Sequence, residues 1–109
     1  MLPNGHRAVI PPSKLTDYLL NENHPTQPGH AVLFRTLLGI DITNGHLLRD
    51  ALLHAAANQP AVVGERSAHG QKYEVRFSMT GHGGAYTILS IWIIAAGDDI
   101  PRLATAFIE

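Results

Sequence analysis

The spacing of apolar residues along the chain changes near residue 60. Before that point apolar side chains recur every three or four positions, as at Leu15, Tyr18 and Leu19, which is the spacing of one helix face. After it, apolar and polar side chains alternate, most clearly over residues 71–79, which is typical of a strand with one buried face. The pattern therefore predicts helices in the first half and an antiparallel meander in the second.

Three helices are predicted in the first half. They cover residues 14–20, residues 30–38, and the segment from a cap at Thr43 or Asn44 to Pro60. Ser13 suits the N-cap of the first helix, because its side chain can accept a backbone hydrogen bond. Gly39 suits the end of the second, since glycine readily adopts a left-handed conformation. The intervening stretch 21–29 carries two prolines and is predicted to be a loop.

Three long strands are predicted in the second half. They cover residues 71–79, 85–96 and 102–108, with a brief strand at 61–63, a polar connector at 64–70 and a short edge strand at 7–10. The tips 81–84 and 97–100 are of hairpin length. We therefore predict one α+β domain of 109 residues, in which about three N-terminal helices pack on one face of a three- to four-stranded antiparallel sheet.

Hairpin pairing predicts which side chains share a face of the sheet. Tyr73 is expected opposite Trp92, and Trp92 opposite Thr105, so these residues belong to the face that carries the helices. The opposite face is mixed, with polar and apolar members. They are the polar residues Glu74, Arg76, Ser78, Thr87 and Arg102, an apolar strip of Leu89, Ile91 and Ile93, and the small residues Ala104 and Ala106. The strip is expected to be covered by the N-terminal segment, a second subunit or a partner, unless it forms an open functional face.

Composition narrows the function classes. The formal net charge of −1 counts against a strong general attraction to nucleic acid. The chain has no cysteine, so disulfides and thiolate metal sites are excluded, and its seven histidines show no zinc-binding spacing. The longest apolar stretch, 88–96, is far shorter than the roughly 20 residues of a membrane-spanning helix. We predict a soluble cytoplasmic protein that needs neither a membrane nor a cofactor.

Two groups of residues could carry acid–base chemistry. His30 begins the second predicted helix, where an imidazole could transfer a proton and the helix terminus could attract a phosphate; the simpler interpretation is an ordinary helix start. Glu74 and Arg76 share a strand face about 7 Å apart. A carboxylate base beside a guanidinium suits metal-independent RNA cleavage, although the same pair can be an ordinary surface ion pair.

The chain resembles a family of short bacterial proteins known only as a domain of unknown function, over residues 2–108. The segments that carry the resemblance are LTDYLLNENHP, PGHAVLFRTLLGI, GQKYEVRFSMTG and SIWIIAAGDDIPRLATAFI. It also resembles toxin nuclease domains of the barnase–EndoU–colicin–RelE type. This second resemblance implies helices before an antiparallel sheet whose exposed face cuts RNA without a metal. His30 stands about where related sequences carry a lysine, so a basic group is retained but a strong phosphate ligand is lost.

Two functional hypotheses follow. The resemblance implies an RNase-like toxin that acts on RNA and is blocked by an antitoxin or immunity protein. Its proton-transfer groups would be His30 and Glu74, its phosphate contacts Arg76 and Arg102, and its further substrate-binding groups Ser78, Thr87 and Thr105. The alternative is a non-catalytic interaction module, such as an immunity or accessory protein or a homodimer, which binds through the apolar strip. Thr105 and Arg102 can share one site only if the last strand is bulged, because the expected pairing puts them on opposite faces.

Overall fold

The structure is a computed structural model that describes residues 1–25 and 28–109. Its helical elements are a 3-10 turn at Gly5–Arg7, a π-helical segment at Lys14–Leu19, α1 at Pro28–Leu38 and α2 at His46–Asn58. Its strands are β1 at Ala61–Ser67, β2 at Gly70–Gly81, β3 at Gly84–Ala95 and β4 at Pro101–Ile108. Within the described residues these strands form one antiparallel sheet in the order β1-β2-β3-β4. The predicted α+β class is confirmed.

The first two helices lie close to their predicted positions. The first is wound more loosely than expected, because the N–H of Leu20 donates to the carbonyl of Leu15 over 2.9 Å, five residues back. α1 begins at Pro28 instead of His30, since the fixed φ of proline suits the first turn of a helix. The predicted loop 21–29 is shorter accordingly, and Thr26 and Gln27 within it lie outside the described residues.

The predicted cap of the third helix is wrong. α2 begins at His46, and the capping position is held by Gly45, which has no side chain to cap the helix. The Asn44 side chain instead serves the preceding turn, where its Oδ1 accepts from the N–H of Asp41 over 2.8 Å and its Nδ2 donates to the carbonyl of Gly39 over 3.0 Å. Asparagine is favoured both in turns and at helix starts, so its presence alone could not distinguish the two.

β1 is longer than the predicted strand at 61–63. A β-bulge between Val63 and Arg66 lets the strand continue to Ser67. Nε2 of Gln71 donates to the carbonyls of Gly64 over 2.8 Å and Glu65 over 3.3 Å, at the bulge. The predicted connector at 64–70 is therefore mostly strand. Because its polar side chains face solvent, it lacks the alternation of apolar and polar residues that would predict a strand.

The first hairpin has the predicted register, and the second does not. Tyr73 lies opposite Trp92, as expected. Trp92, however, lies opposite Leu103, and Thr105 lies opposite Ile91, because a bulge adds one residue to β4. The expected pairing of Trp92 with Thr105 is wrong, and Ala106, predicted to lie on the face opposite the helices, pairs with the buried Ser90 instead. We call the two sides of the sheet the helix face, which contains Trp92, and the outer face, which contains Ile91; Thr105 belongs to the outer face by its pairing.

The helix face and the helices enclose the hydrophobic core. Its largest fully buried side chains include Trp92, Phe34, Leu19, Leu48, Leu52, Ile88 and Val75. Ser90 is the one buried polar side chain of the described residues, and its hydroxyl donates to the carbonyl of Val75 over 2.7 Å. The same hydroxyl accepts the indole N–H of Trp92 over 3.0 Å. Both polar groups are thus satisfied in the core, as buried polar groups must be.

The two edges of the sheet differ. The edge of β4 is covered in part by the N-terminal segment, because Val9 forms a parallel bridge opposite Arg102. The N–H of Val9 donates to the carbonyl of Pro101 over 2.9 Å, and the carbonyl of Val9 accepts from the N–H of Leu103 over 3.0 Å. The predicted edge strand at 7–10 is reduced to this bridge. No described residue pairs with the outer edge of β1, so β1 is the open edge.

Gly81 permits a close approach between the hairpin and α1. A Cβ atom at this position would lie 2.1 Å from the carbonyl oxygen of Leu37, which also accepts from the N–H of His82 over 2.8 Å. We expect Gly81→Ala to lower the free energy of unfolding by about 1–3 kcal/mol, because the helix and hairpin must separate. Gly29→Ala is the matched control, since no atom of the described residues lies within 4 Å of a Cβ there. Urea denaturation followed by circular dichroism measures both; equal stability of the two variants would contradict the contact.

Candidate functional site

Arg76 lies on the outer face between two carboxylates. Its Nη1 donates to Oε1 of Glu74 over 3.2 Å. Its Nε and Nη2 donate to the two carboxylate oxygens of Glu109 over 2.8 and 3.3 Å, a two-pronged contact. Hydrogen bonding to Glu109, and secondarily to Glu74, raises the pKa of Arg76 above its ordinary value. The charge proposed to bind phosphate is thus already matched by the protein's own acids.

Glu109 escaped the sequence analysis because it follows the last strand. The N–H of Glu109 donates to the carbonyl of Thr87 over 2.9 Å, which continues the pairing of β4 by one residue. Its side chain therefore points to the outer face together with that of Thr87. The bulge in β4 sets this direction, so the expected register without a bulge could not place Glu109 beside Arg76.

The apolar strip of the outer face is more buried than an open binding surface would be. Leu89 is only 7% exposed, although it lies on the face opposite the main core. Its strand neighbours are Arg76 on one side and Phe107 on the other. The Arg76–Glu109 ion pair joins β2 to the end of β4 and so crosses β3 beside Leu89. Neighbouring side chains therefore shield Leu89, and this end of the strip becomes a less accessible docking surface.

His30 lies apart from the Glu74–Arg76 pair. Its ring stacks on Phe107 with 5.3 Å between ring centroids and 26° between planes. Its Nδ1 is buried and has no hydrogen-bond partner among the described residues. Phe107 is on β4 and Glu74 is on β2, two strand spacings apart, or about 10 Å. The structure does not bring the two proposed proton-transfer groups together at one reacting atom.

The remaining predicted site residues fall into separate places. Ser78 and Thr87 lie opposite each other at the exposed end of the first hairpin. Arg102 is exposed at the start of β4. The bulge puts Thr105 on the outer face with Arg102, as a shared site required, but the Thr105 hydroxyl is 3.1 Å from that of Tyr18 and is hydrogen-bonded to it. Of the predicted set, only Glu74 with Arg76 and Ser78 with Thr87 are brought together.

The most exposed apolar side chains of the sheet are on β1. Val62 is 58% exposed and Val63 is 67% exposed. Val62 lies opposite Glu74 and so belongs to the outer face, whereas Val63 lies opposite Tyr73 and belongs to the helix face. Two adjacent valines pointing in opposite directions are both exposed because neither face of β1 is covered here, and β1 is the last strand of the sheet. The sequence shows the two valines, but it does not predict the strand order that exposes them.

Two clefts of about 280 Å³ open on the surface. The first lies between the loop 21–23 and the loop 41–43. The second lies where β1 and β3 end and β2 begins, and its lining includes Arg66, Ser67, Gln71, Tyr73 and Ile94. No group of three or more His, Asp or Glu side chains in the described ranges, 1–25 and 28–109, is placed to hold a metal ion. The second cleft adjoins the open edge of β1.

Asp41 in the first cleft makes stability depend on pH. Its Oδ1 accepts from the hydroxyl and the N–H of Thr43 over 2.5 and 2.8 Å, and these bonds lower the pKa of Asp41 below its ordinary value of 3.8. A lowered folded-state pKa stabilises the fold above the unfolded-state pKa, and the contribution disappears as the pH falls through the folded-state value.

We therefore expect Asp41→Asn to lose less stability than the wild type when the pH falls from about 5 to about 3. Asparagine keeps an acceptor for Thr43 but does not titrate. Urea midpoints measured across this range give the comparison. Asp50→Asn, which removes an exposed carboxylate from α2, controls for the change in net charge. Parallel pH profiles for the wild type and Asp41→Asn would contradict this assignment.

The fold and its outer face define an α+β protein with one open sheet edge and a neutralised charge cluster. A family model described as Domain of unknown function (DUF6883) matches residues 1–109, and the chain belongs to that family. No curated protein and no solved structure matches the chain. The resemblance to a family of unknown function is confirmed, while the resemblance to toxin nucleases stays a prediction. No helix of the described residues is long and apolar enough to cross a bilayer.

Proposed function

We propose that this chain is a protein-interaction module that binds an extended segment of a partner along β1. The main support is the open edge of β1, where Val62 and Val63 are exposed on opposite faces of the strand. An edge strand offers a row of unpaired N–H and C=O groups on which another strand can form. In such strand addition the backbone bonds give affinity, and alternate side chains give specificity.

Only the second half of β1 carries the usual protection of an exposed edge, in the form of the bulge after Val63 and the charged residues Glu65 and Arg66. Natural proteins block edges with lysine, proline or bulges. The residues Ala61–Ser67 include neither lysine nor proline. The bulge lies between Val63 and Arg66, and the side chain of Gln71 donates to the carbonyls of Gly64 and Glu65 within it. The stretch Ala61–Val63 ahead of the bulge therefore keeps a regular edge that can pair, and this is the apolar part of the strand.

The binding surface is the edge of β1 and not the apolar strip of the outer face. The sequence predicts the strip as the surface of an interaction module because Leu89, Ile91 and Ile93 share a face. Leu89 is almost buried, and the other two are half-buried. Burial of apolar area on binding supplies most of the driving force, so side chains already shielded contribute little. The valines of β1 have that area still to bury.

The ribonuclease hypothesis has less geometric support. It needs Arg76 to offer charge to phosphate and His30 to act with Glu74 on one substrate. Arg76 is held by two carboxylates, and His30 contacts Phe107 instead. We expect purified protein incubated with total RNA and tRNA, without added metal, to leave the RNA intact. Cleavage by the wild type that His30→Ala or Arg76→Ala abolishes would restore the ribonuclease hypothesis and displace the interaction module.

A display selection of random peptides tests the interaction module directly. Immobilised wild-type protein is expected to enrich peptides with aliphatic or β-branched residues at alternate positions, as an added strand requires. The same selection on the Val62→Lys/Val63→Lys double variant is the control, since lysine on an edge opposes strand addition. If the wild type enriches no alternating pattern beyond that found on the double variant, the proposal fails.

A further inference from the structure

We infer that the partner segment carries an acidic side chain, which the cleft beside β1 receives against Arg66; this rests on the proposed function. The cleft has a volume of about 280 Å³ and lies where β1 and β3 end and β2 begins. Arg66 and Ser67 form its β1 side, and Tyr73 and Ile94 contribute apolar surface. A strand added to β1 would run along the mouth of this cleft.

The bulge in β1 points Arg66 toward the same side as Val63. Val63 lies opposite Tyr73 and Arg66 lies opposite Gln71, both on the helix face. In a regular strand, residues three positions apart would point to opposite faces. The extra residue brings the exposed valine and the guanidinium onto one face. A partner strand would therefore meet an apolar position and then a cationic one on the same side.

The charge of Arg66 is unmatched within the part of the chain that the structure describes. Three other arginines, Arg35, Arg49 and Arg76, each pair with a carboxylate. Arg66 is exposed and forms no ion pair with any described residue. None of the residues lining the cleft is acidic. A cation beside apolar surface, with no acid in the cleft, selects a ligand that brings its own carboxylate.

Neither neighbour of Arg66 in the cleft shares the binding of the acid. Ser67 lies opposite Gly70, the next regular pair after Arg66 and Gln71, so its side chain points to the opposite face. Its hydroxyl oxygen accepts from the N–H of His69 over 3.2 Å. Gln71 already donates through Nε2 to backbone carbonyls. The guanidinium of Arg66 is therefore the donor for the acid.

A second copy of this chain does not supply that acid by pairing β1 with β1. Two identical strands related by a two-fold axis keep their faces, so helix-face residues meet helix-face residues. In the paired part of β1 these are Ala61, Val63 and Arg66, and none is acidic. Self-pairing would leave the guanidinium without a counter-charge. The geometry therefore favours a different partner, in which an aspartate or glutamate lies on the same strand face as an aliphatic residue.

Selections on the wild type and on Arg66→Gln test this inference. Peptides selected on the wild-type protein should combine the alternating aliphatic pattern with Asp or Glu at a fixed distance from it along the peptide. Arg66→Gln should retain the aliphatic pattern and lose the acid. For one selected peptide, exchanging the acid for its amide should weaken binding to the wild type by about tenfold, as loss of a charge-assisted hydrogen bond does. The same exchange should have little effect on binding to Arg66→Gln.

Arg49→Gln is the matched control, because it removes an exposed arginine from α2; it should bind like the wild type. Tryptophan fluorescence checks that each variant is folded. An aliphatic pattern without a fixed acid would overturn the inference and leave the interaction module standing, whereas no pattern at all would remove both. Sedimentation that shows a dimer which Val63→Lys dissociates would make a second copy the occupant and would overturn the assignment of a different partner.

Discussion

Trp92→Ala is expected to lower the free energy of unfolding by about 3–5 kcal/mol, the range for removing a large aromatic side chain from a core. Trp92 is fully buried between its strand neighbours Tyr73 and Leu103. The truncation leaves a cavity at the centre of the helix face and removes the N–H that bonds Ser90. A domain of this size has a total stability of about 5–15 kcal/mol, so the loss is a large share of it.

Two further variants separate packing from hydrogen bonding at this site. Trp92→Phe keeps part of the ring volume but cannot donate to Ser90, so we expect a smaller loss than for alanine. Ser90→Ala keeps Trp92 but leaves its N–H without its acceptor, at a cost of about 1–3 kcal/mol. Urea denaturation followed by circular dichroism suits all three, because the chain has a single tryptophan. A loss below about 1 kcal/mol for Trp92→Ala would contradict the described packing.

Lysine at Val63 is expected to weaken binding of a selected strand peptide by at least about 100-fold, which corresponds to about 2.8 kcal/mol. The substitution removes apolar area that the partner would cover, and it puts a flexible charge where the added strand must lie. Val62→Lys should have a similar effect from the other face of the edge. The fold should tolerate both changes, because the two valines are the most exposed apolar side chains of the sheet. Fluorescence anisotropy with a labelled peptide gives the affinity.

Ile42→Lys is the matched control for this second prediction. Ile42 is 62% exposed, much like the two valines, but it lies in the first cleft, away from β1. The same gain of charge and loss of apolar surface should leave the affinity unchanged there. Equal weakening by Ile42→Lys and Val63→Lys would mean that the peptide binds by general hydrophobicity or charge, and the edge-strand account would be wrong.

The sequence predicted the first hairpin well because alternation and turn chemistry agreed. Tyr73, Val75 and Phe77 alternate with polar residues, and the glycines at the tip allow a tight turn. The observed tip is two residues shorter than predicted, yet Gly81 lies opposite Gly84, so every expected pair of this hairpin is kept. Agreement between local signals made the register robust.

The second hairpin was less predictable because β4 has no clean alternation. Its residues Leu103, Ala104, Ala106, Phe107 and Ile108 are apolar at both odd and even positions. Such a run gives no signal for where a bulge inserts its extra residue. The faces of Thr105 and of the residues after it depended on that one insertion. The Arg76–Glu109 contact could not be predicted either, because the direction of the Glu109 side chain depends on the same bulge.

The open edge could not be predicted from alternation at all. Alternation assigns side chains to faces, but the order of strands and the cover of each edge depend on distant segments. Val9 covers part of the β4 edge through bonds to Pro101 and Leu103, and no local pattern near β1 indicates that choice. The proposed binding site therefore emerged only when the sheet order and the bulge at Val63 were known.

Amide hydrogen exchange with a saturating selected peptide tests the central claim most directly. A strand added to β1 bonds the outward N–H groups of Ala61–Val63, the regular stretch ahead of the bulge, so exchange there should slow by about tenfold or more. Amides in α1, in α2 and at the β4 edge should exchange at the same rate with and without peptide. Protection confined to the outer face around Leu89, or to the β4 edge, with β1 unchanged, would contradict the account.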